Sequence, residues 1–245
     1  MMASSTTDSY LQLLGLAVHE FRTPASVVGG YLRMLQRDAA GELNQHQRKM
    51  IDEAEKSCAR LVSLIAEMSD VAKLDSGAIA LARQPLDVFA LVSEVAEHVQ
   101  EAKDREVRLE VRGENGAAHI SGDATRLRAA FDAVFRAVLR EKGGPCLVVA
   151  ERRREIHDGR RAAVVVVSDA DTVQAAYERD RGAFDEKRGG LGLALPLARR
   201  VIEGHGGRIA APAPELRHDS QQTVDPLATD AVSRGSAIIT LPLTE

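Results

Sequence analysis

The chain has 245 residues, enough for one large domain or two smaller ones, with 44% hydrophobic and 28% charged residues and a formal net charge of -4. That balance gives no electrostatic ground for a nucleic-acid partner, and an aromatic content of 3% without Trp removes base-stacking platforms. No apolar run approaches the roughly 20 residues of a membrane helix, and the opening MMASSTTDSY lacks the basic and apolar regions of a signal peptide; a cytoplasmic chain with no membrane segment is expected.

Between residues 14 and 35, Leu14, Val18, Phe21, Ala25, Val28, Leu32 and Leu35 recur in alternating steps of three and four. After GELN (41 to 44) the same spacing returns in Ile51, Ala54, Cys58, Leu61, Ile65, Met68 and Ala72. This is the seam of a left-handed helical bundle. Gly41 suits the end of the first helix, and Asn44 with Gln47 resembles a capping box opening the second. Two helices alone cannot bury such a seam, so the spacing predicts an antiparallel hairpin that dimerises into four helices. Packing of the hairpin on the rest of its own chain is the alternative.

The pattern changes near residue 76. LDSGAIALARQPLDV carries a short strand, followed by a helix over about 88–103, strands near 106–112 and 117–121, and a helix opened by Asp123 that runs to about 141. Residues 145–168 read as a hairpin turning at Asp158 and Gly159. A polar stretch (174–189), a helix over about 191–204 and strands near 207–211 and 236–242 complete an α/β sandwich of mixed order. Two domains are expected, 1–75 and 76–245.

Cys58 and Cys146 have no paired spacing and read as buried free thiols. Arginines 152–154, 160 and 161 flank the hairpin turn and suit either a solvated face or a partner patch. Residues 212–234 make a Pro-, Asp- and Ser-containing loop longer than most connections.

The stretch LAVHEFRTPASVVGGYLRML places chemistry on the first helix. His19 follows the seam residue Val18 and is turned about 100° from the bundle axis, onto the flank. Glu20 is adjacent, and Thr23 lies four residues on, over the same face. Pro24 inside the helix deletes one backbone hydrogen bond, freeing the Glu20 carbonyl, at a cost of roughly 3 kcal/mol. A bend below His19 is expected, with Gly29 and Gly30 either loosening the helix further or allowing close packing.

HEFRTP resembles the phosphoacceptor box of the histidine-kinase core of two-component systems. GLGLALPLARRVIEGHGGRI (190–209) resembles that family's G2 box and the helix behind it, LDSGAIALARQPLDV its passage between domains, and RGSAIITLPL its closing strand. The resemblance spans about residues 10–245. It implies a dimeric four-helix bundle followed by an ATPase-type α/β sandwich. It also implies ATP and Mg²⁺ as cofactors, and a response-regulator receiver domain as partner. By the resemblance, His19 attacks a γ-phosphate, Glu20 accepts the hydrogen bond of the other ring N–H, and Thr23 can orient water for dephosphorylating the partner. Asp169 corresponds to the adenine-binding carboxylate, Gly190 and Gly192 to phosphate-facing backbone, and Arg140 to the family's basic position.

Two motifs depart from the family. The N box begins intact with Asp123, Arg126 and Leu127, but its two asparagines, the second of which ligates Mg²⁺, are Ala133 and Ala137. Asparagine occurs only at 44 and 115, so no shift of register restores it, and no metal ligand is assigned. The G1 box D-x-G-x-G reads Asp169-Ala170-Asp171-Thr172-Val173, with both glycines replaced. Two readings follow. One is a kinase that phosphorylates His19 from ATP and passes the group to a receiver aspartate. The other is a pseudokinase acting as an ATP-independent phosphotransferase, scaffold or response-regulator phosphatase.

Overall fold

The structure, a computed structural model, describes residues 2–38, 43–157, 159–214 and 231–244, without the side chains of 2–16, 19, 157 and 231. It divides into two compact units, Met1–Ala80 and Leu81–Glu245.

The first unit is a helical hairpin of α1 (Met2–Asp38) and α2 (Gln45–Asp75). The expected capping box opens α2: the Gln47 N–H donates to Asn44 Oδ1 at 2.9 Å, and the Asn44 N–H donates to Gln47 Oε1 at 3.0 Å. Such caps stabilise a helix by about 0.5–2 kcal/mol. Gly41 lies outside the described residues. Val18, Gly29, Cys58 and Ala72 are buried between the helices. Gly29 is there for close packing, since a Cβ on it would lie 3.3 Å from Cys58 Sγ, whereas Gly30 faces open space. The Cys58 thiol donates to the Ala25 carbonyl at 3.1 Å, tying the helices together at the same level. The predicted seam does not all face one way. Val18 and, partly, Ala25 and Leu32 meet α2, while Phe21, Val28 and Leu35 are each more than half exposed. A single stripe read along one helix serves two neighbouring surfaces, of which α2 covers one.

The second unit is built on a six-stranded mixed sheet with strand order β2-β4-β5-β8-β7-β6. In chain order its elements are β1 (Gln84–Asp87), α3 (Val88–His98), β2 (Val107–Gly113), β3 (His119–Gly122) and α4 (Ala124–Arg140), then β4 (Cys146–His157), β5 (Arg160–Asp169) and α5 (Val173–Glu178). β6 (Arg181–Gly182), α6 (Ala194–Gly204), β7 (Arg208–Pro212), α7 (Ala231–Arg234) and β8 (Ala237–Pro242) follow. β1 and β3 form a separate antiparallel pair, and β2 is parallel to β4. The valine run of β5 is buried at successive positions, so both faces of the strand are covered. Val164 and Val166 pack with Ile238 against Val173 and Ala176 of α5 and Val232 of α7. α4 packs between α3 and α6.

Three sequence expectations change. The helix expected over about 88–103 stops at His98, and Ala102 and Glu106 take left-handed φ of 59° and 57° around a short 3-10 turn. The helix expected from about 191 starts at Ala194 because the glycines before it carry positive φ. The polar stretch 174–189 contains α5, whose apolar side is only two residues wide and leaves no periodic signal. Asp158 and residues 215–230 lie outside the described residues. The flanking arginines are largely occupied within the unit. Arg152 and Arg154 stack on Phe89, Arg153 lies 4.0 Å from the Tyr177 ring, and Arg154 pairs with Glu114 at 2.7 Å. Cys58 and Cys146 are free thiols, the first buried and the second half-buried.

Candidate functional site

His19, Glu20 and Thr23 lie on α1, which continues without a break through Pro24. Glu20 and Thr23 are exposed, while the His19 side chain is outside the described residues. No helix among the described residues is long and apolar enough to cross a membrane.

In the second unit, Asp123 caps α4. Its Oδ1 accepts from the Arg126 N–H and its Oδ2 from the Ala82 N–H, both at 3.1 Å. Burial works against its charge, but these two N–H groups and the Arg126 guanidinium outweigh burial and hold the carboxyl below its ordinary range. The Asp123 N–H donates to His205 Nε2 at 2.9 Å, and His205 Nδ1 donates to the Val201 carbonyl at 2.6 Å, which fixes the tautomer. The surviving start of the N box is thus a cap that joins α4 to the end of α6.

The two positions that depart from the family are buried. Ala137 is 0% exposed and Ala133 7%. Gly189 lies directly over Ala137: at φ 67°, a Cβ on Gly189 would come 3.0 Å from the Ala137 Cα. Residues at the end of α4 hold Gly189 on both sides, because its N–H donates to Glu141 Oε1 and its carbonyl accepts from Arg140 Nη1, each at 3.1 Å. Arg140 is itself fixed by Glu101, 3.1 Å from its Nε. Burial opposes the Glu101 charge, yet hydrogen bonds from Arg140 and Arg136 keep its carboxyl below the usual range.

Next to Gly189, Arg188 is buried, donates to the Ser236 carbonyl at 2.7 Å and lies 4.5 Å from the Phe184 ring centre. Asp169, at the end of β5, accepts on Oδ2 from Lys142 Nζ at 2.9 Å, and Lys142, 8% exposed, also donates to the Gly235 carbonyl at 3.1 Å. A cavity of about 500 Å³ beside this pair is lined by Gly143, Gly144, Cys146, Arg234 and Gly235. Burial first, then the Asp169 charge, pushes the Cys146 thiol up, so it remains protonated at neutral pH. Gly190 and Gly192 precede α6 with φ of 59° and 67°. Val173, at the last position of the altered G1 box, does not face this site but packs in the cluster with Val164 and Ile238.

At 133 and 137 the residues present lack the family's Mg²⁺ donor, whereas Asp169 keeps a buried Oδ1 without a partner among the described residues. Alanine offers no metal donor at 133 or 137, and among the described residues no group of three or more His, Cys, Asp or Glu could hold a metal ion. The space over Ala137 is taken by Gly189, and Asp169 Oδ2 is engaged by Lys142. The structure therefore brings Asp169, Arg140 and the glycine segment close to α4 but turns their contacts inward. Sequence reading missed Lys142, Glu141, Arg188 and His205, whose long-range partners lie 27 to 93 residues away along the chain and leave no local spacing to detect.

Residues 10–77 match the model of the His Kinase A (phospho-acceptor) domain. Sensor protein DivL of Caulobacter vibrioides is 29% identical over 204 residues, covering 80% of this chain and 25% of that protein. Sensor protein CutS of Streptomyces coelicolor is 31% identical over 213 residues, covering 82% and 49%. The chain thus spans between a quarter and a half of the length of these relatives. Among solved structures, full-length ShkA in complex with AMPPNP shares the fold over 96% of this chain and 46% of its own, with a TM-score of 0.65 at 22% identity. Taken with the helical hairpin and the mixed sheet that follows it, these similarities identify the chain as a sensor histidine kinase core.

Proposed function

We propose that this chain is a histidine phosphotransfer protein of a two-component system. In this reading His19 exchanges a phosphoryl group with an aspartate of a response-regulator receiver domain, and the C-terminal unit takes up no ATP. The observation that carries it is Gly189 seated on Ala137, where the family places its metal-binding asparagine. The unprotonated nitrogen of His19 attacks the phosphorus of a receiver's aspartyl phosphate. A P–N bond forms as the P–O bond breaks, and the aspartate leaves as a carboxylate. Glu20 accepts the hydrogen bond of the other ring N–H and offsets the positive charge that develops, while Thr23 orients water for hydrolysis of the receiver phosphate.

The exposed apolar residues of the hairpin, Phe21, Val28, Tyr31 and Leu35 on α1 and Leu61 on α2, support a homodimer that completes a four-helix bundle. Histidine-kinase relatives support the receiver as partner.

A second reading, self-phosphorylation of His19 from ATP, is favoured by Asp169, whose Oδ1 is buried without a partner among the described residues. Two incubations separate the readings. Radiolabelled ATP with Mg²⁺ is expected to leave the chain unlabelled, whereas a receiver carrying labelled phosphate is expected to label wild type and not His19→Ala. Label from ATP on wild type alone would establish the second reading, and no label from any receiver tested would remove the first.

A further inference from the structure

Three consecutive residues at the end of α4 are turned toward the segments that surround Ala137. Arg140 and Glu141 hold the carbonyl and the N–H of Gly189, and Lys142 bridges Asp169 to the carbonyl of Gly235. Arg188 closes the same region from the other side through the carbonyl of Ser236. Every one of these contacts is made by the chain to itself, and each has a charged side chain as donor or acceptor. We propose that these side chains form a latch that fixes the segment Arg188–Gly190 shut on α4, and that the C-terminal unit keeps this closed form with or without nucleotide.

The disposition of charge supports a lasting closure. Lys142 and Arg188 are both buried, and a buried cation is tolerated where partners compensate it; opening the segment would part Arg188 from the Ser236 carbonyl. Lys142 also offers Asp169 an N–H donor, the group that adenine would present to the same carboxylate. A nucleotide would share Asp169 with this donor, which takes Oδ2 alone, and would have to lift Gly189 off Ala137. The inference holds whether or not His19 exchanges phosphate with a receiver.

Amide hydrogen exchange of the full chain, followed by NMR at Gly189, tests it. The Gly189 amide is expected to be protected, equally with and without ATP and Mg²⁺. Glu141→Ala is expected to raise its exchange about tenfold, the loss of one charge-assisted hydrogen bond, while amides of β5 keep their protection. Arg140→Ala, which removes the donor to the Gly189 carbonyl, provides a second variant, expected to speed exchange at Gly189 as well. Unprotected Gly189 in wild type, slowing of its exchange by ATP, or an unchanged rate in both variants would each overturn the latch. The latch shares the Gly189 contact with the proposed function, and labelling of His19 by a receiver is the separate readout that tells failure of the latch from failure of phosphotransfer.

Discussion

Gly189→Ala tests directly whether the glycine segment lies on α4. Two costs add at this position. The backbone has φ 67°, where an L side chain costs about 1–2 kcal/mol. The new Cβ would also lie 3.0 Å from the Ala137 Cα and 3.4 Å from its carbonyl oxygen, backbone atoms in the last turn of α4 that cannot swing aside, which adds about 1–3 kcal/mol of overpacking. The expected destabilisation is therefore about 2–5 kcal/mol. Gly190→Ala carries the first cost without the second, because its φ is 59° and no atom lies within 4 Å of its added Cβ. Gly143→Ala, with neither feature, should change stability by less than about 0.5 kcal/mol. Urea denaturation of the three variants, read on the sheet-containing unit, isolates the close approach as the difference between the first two. Equal losses in Gly189→Ala and Gly190→Ala would refute the contact with Ala137, and with it the central observation behind the proposed function.

Ala137→Asn should not restore metal binding; with 0% exposure beneath Gly189 the amide has no partner, and a loss of about 1–3 kcal/mol in thermal unfolding is expected, with no further change on adding Mg²⁺. Gly30→Ala should stabilise the hairpin by about 0.5–1 kcal/mol, whereas Gly29→Ala should gain less or lose stability because Cys58 Sγ must yield; circular dichroism melts separate the two. Burial holds His205 below the ordinary imidazole value of 6.5, with the Arg83 charge acting the same way and the Val201 carbonyl and Asp123 opposing. The unfolded chain then binds more protons just below that value, so the contribution of His205 is complete above about pH 6.5 and is lost as pH falls toward its folded value. Urea midpoints measured from pH 7.5 to 5 should decline in wild type and decline less in His205→Gln, which keeps an acceptor for the Asp123 N–H without the titration; parallel curves would remove His205 from the effect.

Much of the fold was legible because its signals are local and periodic. The capping box at Asn44, the cap at Asp123 and the apolar run of β5 each act within a few residues, and each forms as its pattern predicts. The division of α1 into a covered and an exposed face was not legible, since one heptad stripe does not say which neighbour each residue meets. The departures at 133 and 137 were also legible, but their consequence was not. Reading alanine as a stripped surface leaves a gap over α4, whereas the structure fills it with Gly189, a residue 52 positions further along the chain than Ala137. His19, Glu20 and Thr23 rest on the HEFRTP box itself, since the His19 side chain lies outside the described residues.

The substitutions in the second unit support one another, which separates repacking from decay. Erosion of an unused site would leave the altered positions without packing partners. Instead Gly189 covers Ala137, its missing side chain allowing close approach to the α4 backbone. Val173, replacing a G1 glycine, opens α5 and is buried against Val164, Val166 and Ile238, so the altered residue contributes to a core. Lys142 and Arg188 are charged residues in buried places, and both find carbonyl partners, Gly235 and Ser236, at the start of β8. Three distant parts of the chain, the end of α4, the glycine segment and the approach to β8, therefore meet in one set of mutually dependent contacts. Such a set holds each of its parts in one place, because each contact depends on the others being made.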